Sequence, residues 1–385
     1  MNKRYIFLGV LLSLIFIGGF LSGVFFSKED NELSSLKSKD APISTKIPFK
    51  KEIPRIEDKR SNVLIGYVQD FRNPNDIPYS KLTHIIFSFA HPTKDGGLLF
   101  TGDHALKNLQ TIVSKAEEHN TKVLLAIGGW YHMNGGESYD YFSAALANPT
   151  SQKKLVNELL KVINREKLDG IDIDFEHPRT EADSKNLNTF ITDLSKQLHS
   201  NNKELSIAVH SKIHGSTLTE LGYVKYEPSM FHNVDYVNIM AYDGQWDGGY
   251  NPQNLAPYPF TERIVSYWAS LFDSHNVSKR KLVLGVPFYA QPVDPKIKQV
   301  SYEAIIQDNP ANATKDVIKM NGTTYYYNGQ TMMTKKTKLA IENNFGGMMI
   351  WELGLDSKDD YSLTRTIFNE LNSKKKLISY YENKK

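Results

Sequence analysis

From Leu168 to Pro178 the chain reads Leu-Asp-Gly-Ile-Asp-Ile-Asp-Phe-Glu-His-Pro, an alternation of acidic and apolar residues. Successive side chains of a strand point to opposite faces, so Ile171, Ile173 and Phe175 share one face. Asp172, Asp174 and Glu176 share the other, with Cα atoms two residues apart separated by roughly 6.5 Å. Three enclosed carboxyls at that spacing cannot all ionise cheaply. Desolvation and mutual repulsion raise at least one pKa and spread the protons over the set. A carboxyl that keeps its proton near neutral pH is suited to general-acid chemistry. An acidic outer face on a surface strand is the plain alternative. The inward reading is preferred because the apolar set suits contact with helices and Pro178 ends the strand at a loop.

Something must hold that strand on both sides. Short apolar runs occur at Val63–Val68, His84–Phe89, Lys122–Ile127, Gly170–Phe175, Leu205–His210, Tyr236–Met240, Leu282–Val286 and Met348–Trp351. Amphipathic stretches separate most of them: Ala105–Glu118, Gln152–Arg165, Ala182–His199, Thr261–Phe272, Thr334–Asn343 and Ser362–Asn372. Strands alternating with helices in this number predict an α/β fold, a parallel (β/α)8 TIM barrel spanning 61–373, with its active site at the strands' C-terminal ends. A doubly wound open sheet is the competing architecture, but no Gly-x-Gly-x-x-Gly turn follows the first strand. The connection before the last strand is overlong. It predicts a small insertion over 291–333, with Tyr302–Gln307 as a short element and Gly322–Tyr327 followed by Asn328-Gly329 as a hairpin signal.

Composition narrows the chemistry. Hydrophobic residues make up 40% of the chain and charged residues 23%, which permits a substantial core. Net charge is only +3, and no long basic block interleaves with aromatics in the folded part, so a nucleic-acid partner is excluded. Cysteine is absent, which removes disulfides, thiolate zinc sites and a Cys nucleophile. No Gly-x-Ser-x-Gly elbow supports a serine hydrolase. His210 and His214 beside the acids raise a metal-dependent barrel hydrolase, yet they straddle a strand end instead of sharing a helical face. No metal and no cofactor is expected.

The ends carry location. Lys3 and Arg4 precede an uncharged apolar run from Tyr5 to Phe26, long enough to cross a bilayer. Residues 1–27 therefore read as a signal-anchor or transmembrane segment. That places the remainder outside the cytoplasm at the cell membrane, or secreted if the segment is cleaved. Residues 28–60 read as a flexible linker and 374–385 as a basic tail.

Asp169-Gly170-Ile171-Asp172-Ile173-Asp174-Phe175-Glu176 resembles the D-G-x-D-x-D-x-E signature of glycoside hydrolase family 18, the chitinases and related endo-N-acetylglucosaminidases. Gly66-Tyr67, Phe87-Ser88-Phe89-Ala90, Ile127-Gly128-Gly129-Trp130, Met240-Ala241-Tyr242-Asp243 and Gly346-Gly347-Met348-Met349-Ile350-Trp351-Glu352 support it in the expected order. Three features depart from the family pattern. Ala126 stands where Ser is usual, Phe175 and His177 stand where Trp and Tyr are frequent, and the insertion is short.

The resemblance implies retaining hydrolysis of a polysaccharide built from β-1,4-linked N-acetylglucosamine, in which the substrate's own acetamido oxygen attacks the anomeric carbon. Glu176 would then be the acid and base, Asp174 the partner of the acetamido N–H, and Asp172 a proton-sharing neighbour. Tyr242 would donate to the acetamido group, Asp243 would bind sugar or support Tyr242, and Trp351 would form the floor. Trp130, Trp246 and Tyr67 are further candidates to line the cleft. For Tyr242 and Trp351 ordinary packing is the plain alternative. Gly128-Gly129 predicts a tight turn, and His177 either orients Glu176 or begins the loop. An endo-acting enzyme on N-glycans or peptidoglycan-derived glycans, and a noncatalytic lectin, are the other functions compatible with the motif.

Overall fold

The computed structural model describes residues 61–373. The expected membrane segment, linker and basic tail lie outside the described residues. Within them no helix is long and apolar enough to cross a membrane.

Eight parallel strands close into a ring: β1 (Val63–Gln69), β2 (His84–Pro92), β4 (Lys122–Gly128), β5 (Gly170–Asp174), β6 (Glu204–His210), β7 (Tyr236–Met240), β8 (Leu282–Pro287) and β13 (Gly347–Trp351). Pairing of β1 with both β2 and β13 completes the closure. β3 (Leu98–Leu99) adds a short antiparallel ribbon to the end of β2. Every expected barrel strand is present, with ends shifted by at most three residues. These runs are legible because a parallel strand is covered on both faces and reads as nearly continuous Val, Ile and Leu.

Alternation along each strand sorts the core into two clusters. On β1, Val63, Ile65 and Tyr67 face the barrel axis with Ile86, Leu124, Val283 and Met349, while Leu64 and Val68 pack outward. Ile171 and Ile173 of β5, with Phe175 just past its end, join the outer cluster, so Asp172 and Asp174 point inward. Phe175 is fixed by rings of α2 (Ser138–Ala147), lying 5.0 Å from Phe142 and 5.7 Å from Tyr139.

The helices α1 (Asp103–Glu117), α3 (Pro149–Glu166), α4 (Glu181–His199), α5 (Tyr258–Ser274), α7 (Gln330–Glu342) and α8 (Leu363–Leu371) match the amphipathic stretches. α2 has no counterpart in the periodicity reading. It is short and carries no side-chain cap, and Asn148 at its end caps α3. Among the described residues, the crossovers from β1 to β2 and from β6 to β7 hold 3-10 turns instead of α-helices.

The insertion forms a four-stranded antiparallel sheet, in the order β10 (Val300–Ser301), β9 (Tyr289–Pro292), β12 (Thr323–Tyr326), β11 (Val317–Met320), with α6 (Tyr302–Asp308) beside it. Its hairpin turns at Asn321-Gly322, whose φ angles of 53° and 74° suit a two-residue turn. Asn328-Gly329, the expected turn, instead leads into α7. The Gly329 amide donates to Asp316 (2.9 Å), and the Asn328 amide oxygen accepts from Lys336 (2.7 Å).

Lys336 is fully buried on α7 and also donates to the Ala256 carbonyl at 2.6 Å. Two acceptors match the two N–H bonds of a neutral amine. Burial lowers its pKa to about 7, against some opposition from Asp316. The unfolded chain therefore binds a proton that the folded chain has released between about pH 7 and 10.5, so this group makes stability rise with pH across that window. Thermal unfolding of wild type and Lys336→Met across that range should show a flatter pH dependence in the variant.

Candidate active site

The inward acids of β5 form a column that becomes more accessible toward the strands' C-terminal ends. Asp172 is fully enclosed and saturated with donors. Tyr67 Oη donates to Oδ2 at 2.7 Å, while Ser206 Oγ and Asn238 Nδ2 donate to Oδ1 at 2.5 and 3.2 Å. Burial pushes its pKa to about 6, and these three donors oppose the rise. Asp174 is 3% exposed, and its Oδ1 has no hydrogen-bond partner. Burial, then the charges of Glu176 and Asp172, hold its pKa well above the ordinary carboxyl range. Glu176, just past the strand, is only partly buried. Desolvation and then Asp243 raise its pKa to about 8. The outermost carboxyl thus keeps a proton at neutral pH while the innermost is held by neutral donors.

Tyr242 follows β7 and is 7% exposed, with Oη 3.9 Å from Met349 Sδ. Burial, and then Asp243, Asp174 and Glu176, keep its hydroxyl protonated. It is a donor set among acids. Asp243 has a left-handed φ of 64° and accepts hydrogen bonds from Tyr289 Oη and Gln245 Nε2. Trp351 closes β13, with its ring centroid 5.5 Å from Tyr67 and 5.9 Å from Phe89. Glu352 behind it is 1% exposed, and its carboxylate accepts from the Gly354 amide and pairs with Arg72. Non-proline cis peptides occur at Ser88–Phe89, Glu176–His177 and Trp351–Glu352, all near the same end of the barrel.

The structure gathers Asp172, Asp174, Glu176, Tyr67, Tyr242, Asp243 and Trp351 at one end of the ring. Trp130 and Trp246 stand at its rim, 39% and 62% exposed, with Trp246 4.9 Å from Tyr250. Gly128-Gly129 makes the expected turn, with φ angles of 118° and 79°, and a Cβ on Gly128 would sit 2.1 Å from the Asp174 carbonyl. His177 packs edge-on to His210 at 5.1 Å, and burial lowers their pKa values to about 4 and 3. His214 Nδ1 accepts from the Ser216 amide instead. Among the described residues no three His, Asp or Glu side chains could together hold a metal ion.

Sequence reasoning missed Ser206, Asn238, Tyr289 and Phe89 as members of the site. Ser206 and Asn238 interrupt buried apolar strands as the acids do, and the same inward register would have found them. Tyr289 lies two residues past the end of β8, and Phe89 lies within the quoted motif of β2.

The fold and the site together set a carboxyl with a raised pKa among aromatic rings at the C-terminal mouth of a closed parallel barrel, the end where barrel enzymes carry their active sites. The family model for glycosyl hydrolases family 18 matches residues 63–356, and the chain belongs to that family of glycoside hydrolases. Chitinase 1 of Aphanocladium album is 26% identical, over 82% of this chain and 85% of its own length. The GH18 chitinase ChiB from the chitin utilization locus of Flavobacterium johnsoniae has a similar structure. It shares 27% identity with a TM-score of 0.67, over 82% of this chain and 96% of that one. A class V chitinase mutant from Nicotiana tobaccum, in complex with NAG4, shares the fold at 18% identity and a TM-score of 0.66, over 81% and 99% of the two chains.

Because its donors favour the ionised form of Asp172, deleting one should raise its pKa. Tyr67→Phe should move it upward by about one to two units, read from the side-chain carboxyl carbon shift in an NMR titration.

Proposed function

We propose that the chain hydrolyses β-1,4-linked N-acetylglucosamine polymers, chitin-like glycans, with retention of configuration and with the substrate's acetamido group as nucleophile. The observation that carries this reading is the gradient along β5, from an enclosed, donor-saturated Asp172 to a partly exposed Glu176 that holds a proton. Glu176 protonates the departing glycosidic oxygen, then takes a proton from the incoming water. Asp174, with an unpartnered oxygen beside Glu176, receives the acetamido N–H and offsets charge on the cyclic intermediate. Asp172 shares a proton with Asp174. Tyr242 donates its hydroxyl to the acetamido group and holds it near the anomeric carbon. Trp351, braced by Tyr67 and Phe89, supplies the floor. The chitinases among the relatives, and the NAG4 complex of the tobacco enzyme, support the substrate class.

N-glycan or peptidoglycan-derived substrates keep the same chemistry, whereas a lectin keeps the groove without turnover. The Lys3-Arg4 and Tyr5–Phe26 pattern supports a catalytic body tethered at the outer face of the cell membrane. Fractionation with protease protection tests that location.

Glu176→Gln should lower turnover of a fluorogenic diacetylchitobioside by about a hundred- to ten-thousand-fold while oligosaccharide binding survives. Efficient cleavage of a fully deacetylated chain by the wild type would sink the acetamido mechanism. A second expectation concerns pH. The acid works only when protonated, so activity should fall as pH rises through about 8. Asp243 raises the pKa of Glu176, so Asp243→Asn should move that alkaline limb to lower pH in a kcat–pH profile.

A further inference from the structure

Asn-Gly pairs occur at Asn134-Gly135, Asn321-Gly322 and Asn328-Gly329, and the proposed hydrolysis uses none of them. The pair has a chemistry of its own. Glycine has no side chain to hinder its amide nitrogen, so that nitrogen reaches the side-chain carbonyl carbon of the preceding asparagine with the least obstruction. Attack forms a new nitrogen–carbon bond that closes a five-membered succinimide. The carbon–nitrogen bond of the carboxamide breaks and ammonia departs, taking up the proton that the glycine amide gives to solvent. Water then opens the ring at either carbonyl and leaves aspartate or isoaspartate. Water is the one co-reactant.

The reaction needs a free glycine nitrogen and a backbone that can swing it onto the side chain. The fold grants this unequally. Asn328 and Gly329 are both buried, and the Gly329 amide donates to Asp316 Oδ1 at 2.9 Å. The Asn328 carboxamide is held at both ends, accepting from Lys336 Nζ at 2.7 Å and donating to the Tyr327 carbonyl at 2.9 Å. Asn134 and Gly135 are exposed, but the Gly135 amide donates to His132 O at 2.8 Å and the Asn134 amide to His132 Nδ1 at 3.1 Å. His132 is itself buried, with its ring stacked on Tyr141 at 3.5 Å. Asn321 and Gly322 are exposed too, yet the Gly322 amide has no acceptor among the described residues. A Cβ built on Gly322 would meet nothing within 4 Å. The turn must still relax from its left-handed φ angles before the nitrogen meets the side chain. It closes the hairpin of β11, the edge strand of the insertion sheet, where local opening costs least.

We propose that Asn321 is a site of spontaneous modification, converting to aspartate and isoaspartate in the folded chain while Asn134 and Asn328 persist. Either product adds a negative charge at the hairpin tip. Isoaspartate also routes the main chain through the side-chain carbon, which lengthens by one atom a two-residue turn that sets the Met320–Thr323 pairing. The second strand of the hairpin, β12, pairs with β9, whose Tyr289 donates to Asp243. The altered turn thus belongs to the sheet that reaches the active site.

The test ages the full chain in mildly alkaline buffer, folded and in parallel unfolded in urea, and follows each asparagine by mass spectrometry with fragment-ion assignment. Asn321 and Asn328 fall on one tryptic peptide, Met320–Lys335, so each controls for the other. In the folded chain Asn321 should convert about threefold or more faster than Asn134 and about thirtyfold or more faster than Asn328, as one or several hydrogen bonds must first break at the other two. In urea the three rates should converge, because the pairs then differ only in their flanking residues. Conversion of Asn134 or Asn328 in the folded chain as fast as that of Asn321 overturns the inference. A spread of rates that persists unchanged in urea overturns it too, since sequence alone would then select the site. An Asn321 that stays intact when folded while all three convert in urea does the same.

Discussion

Everything at the mouth of this barrel depends on putting three carboxyls along one enclosed strand. Burial lifts Asp172 from 3.8 to about 6 even with three donors opposing the rise, a net cost of about 3 kcal/mol when it is ionised at neutral pH. The fold contains that cost by surrounding Asp172 with donors that carry no charge of their own. Tyr67, Ser206 and Asn238 come from β1, β6 and β7, and a closed ring is what lets three separate strands reach one side chain. A lysine or arginine in their place would pull every carboxyl toward ionisation and remove the proton from Glu176. Desolvation, and then Asp243, hold a proton on the outermost acid, and neutral donors add no positive charge to oppose them.

The same residues join chemistry to packing. Tyr67 hydrogen-bonds Asp172 and also presses its ring against Trp351, so the saturated acid and the aromatic floor share one support. Tyr289, the first residue of the insertion sheet, donates to Asp243, whose charge raises the pKa of Glu176. The insertion is thereby coupled to the acid as well as forming a wall. Lys336 fastens the far side of that insertion to the loop before α5 through Asn328 and Ala256. Leu255 and Ala256 in turn pack in the inner cluster with Tyr242 and Tyr289.

Much of this was legible in the chain. The barrel strands read clearly because burial on both faces demands uninterrupted apolar residues, and the acids read clearly because they break that demand. Ser206 and Asn238 break it in the same way, but an isolated neutral residue in a strand is weaker as a signal than a run of carboxylates. The hairpin turn went to the wrong Asn-Gly pair because both pairs carry the same local preference. Only the tertiary partners of Asn328 and Gly329, namely Lys336 and Asp316, decide between them. α2 escaped for a related reason. Its place is fixed mainly by Tyr139 and Phe142 packing on Phe175, a contact between distant parts of the chain.

The two buried titrating sets respond to pH in opposite senses. Asp172, Asp174 and Glu176 all have raised pKa values, so the folded chain holds their protons longer than the unfolded chain and this stabilisation fades as pH rises through their folded values. Lys336 has a lowered pKa, and its contribution grows with pH above about 7. One set lies at the chemistry and the other at the root of the insertion wall. The carboxyls at the barrel mouth therefore lose their protons over a range where the attachment of the wall is not weakened by Lys336. Under the proposed mechanism, the proton on Glu176, rather than Lys336's anchoring of the wall, would then set the alkaline boundary for catalysis.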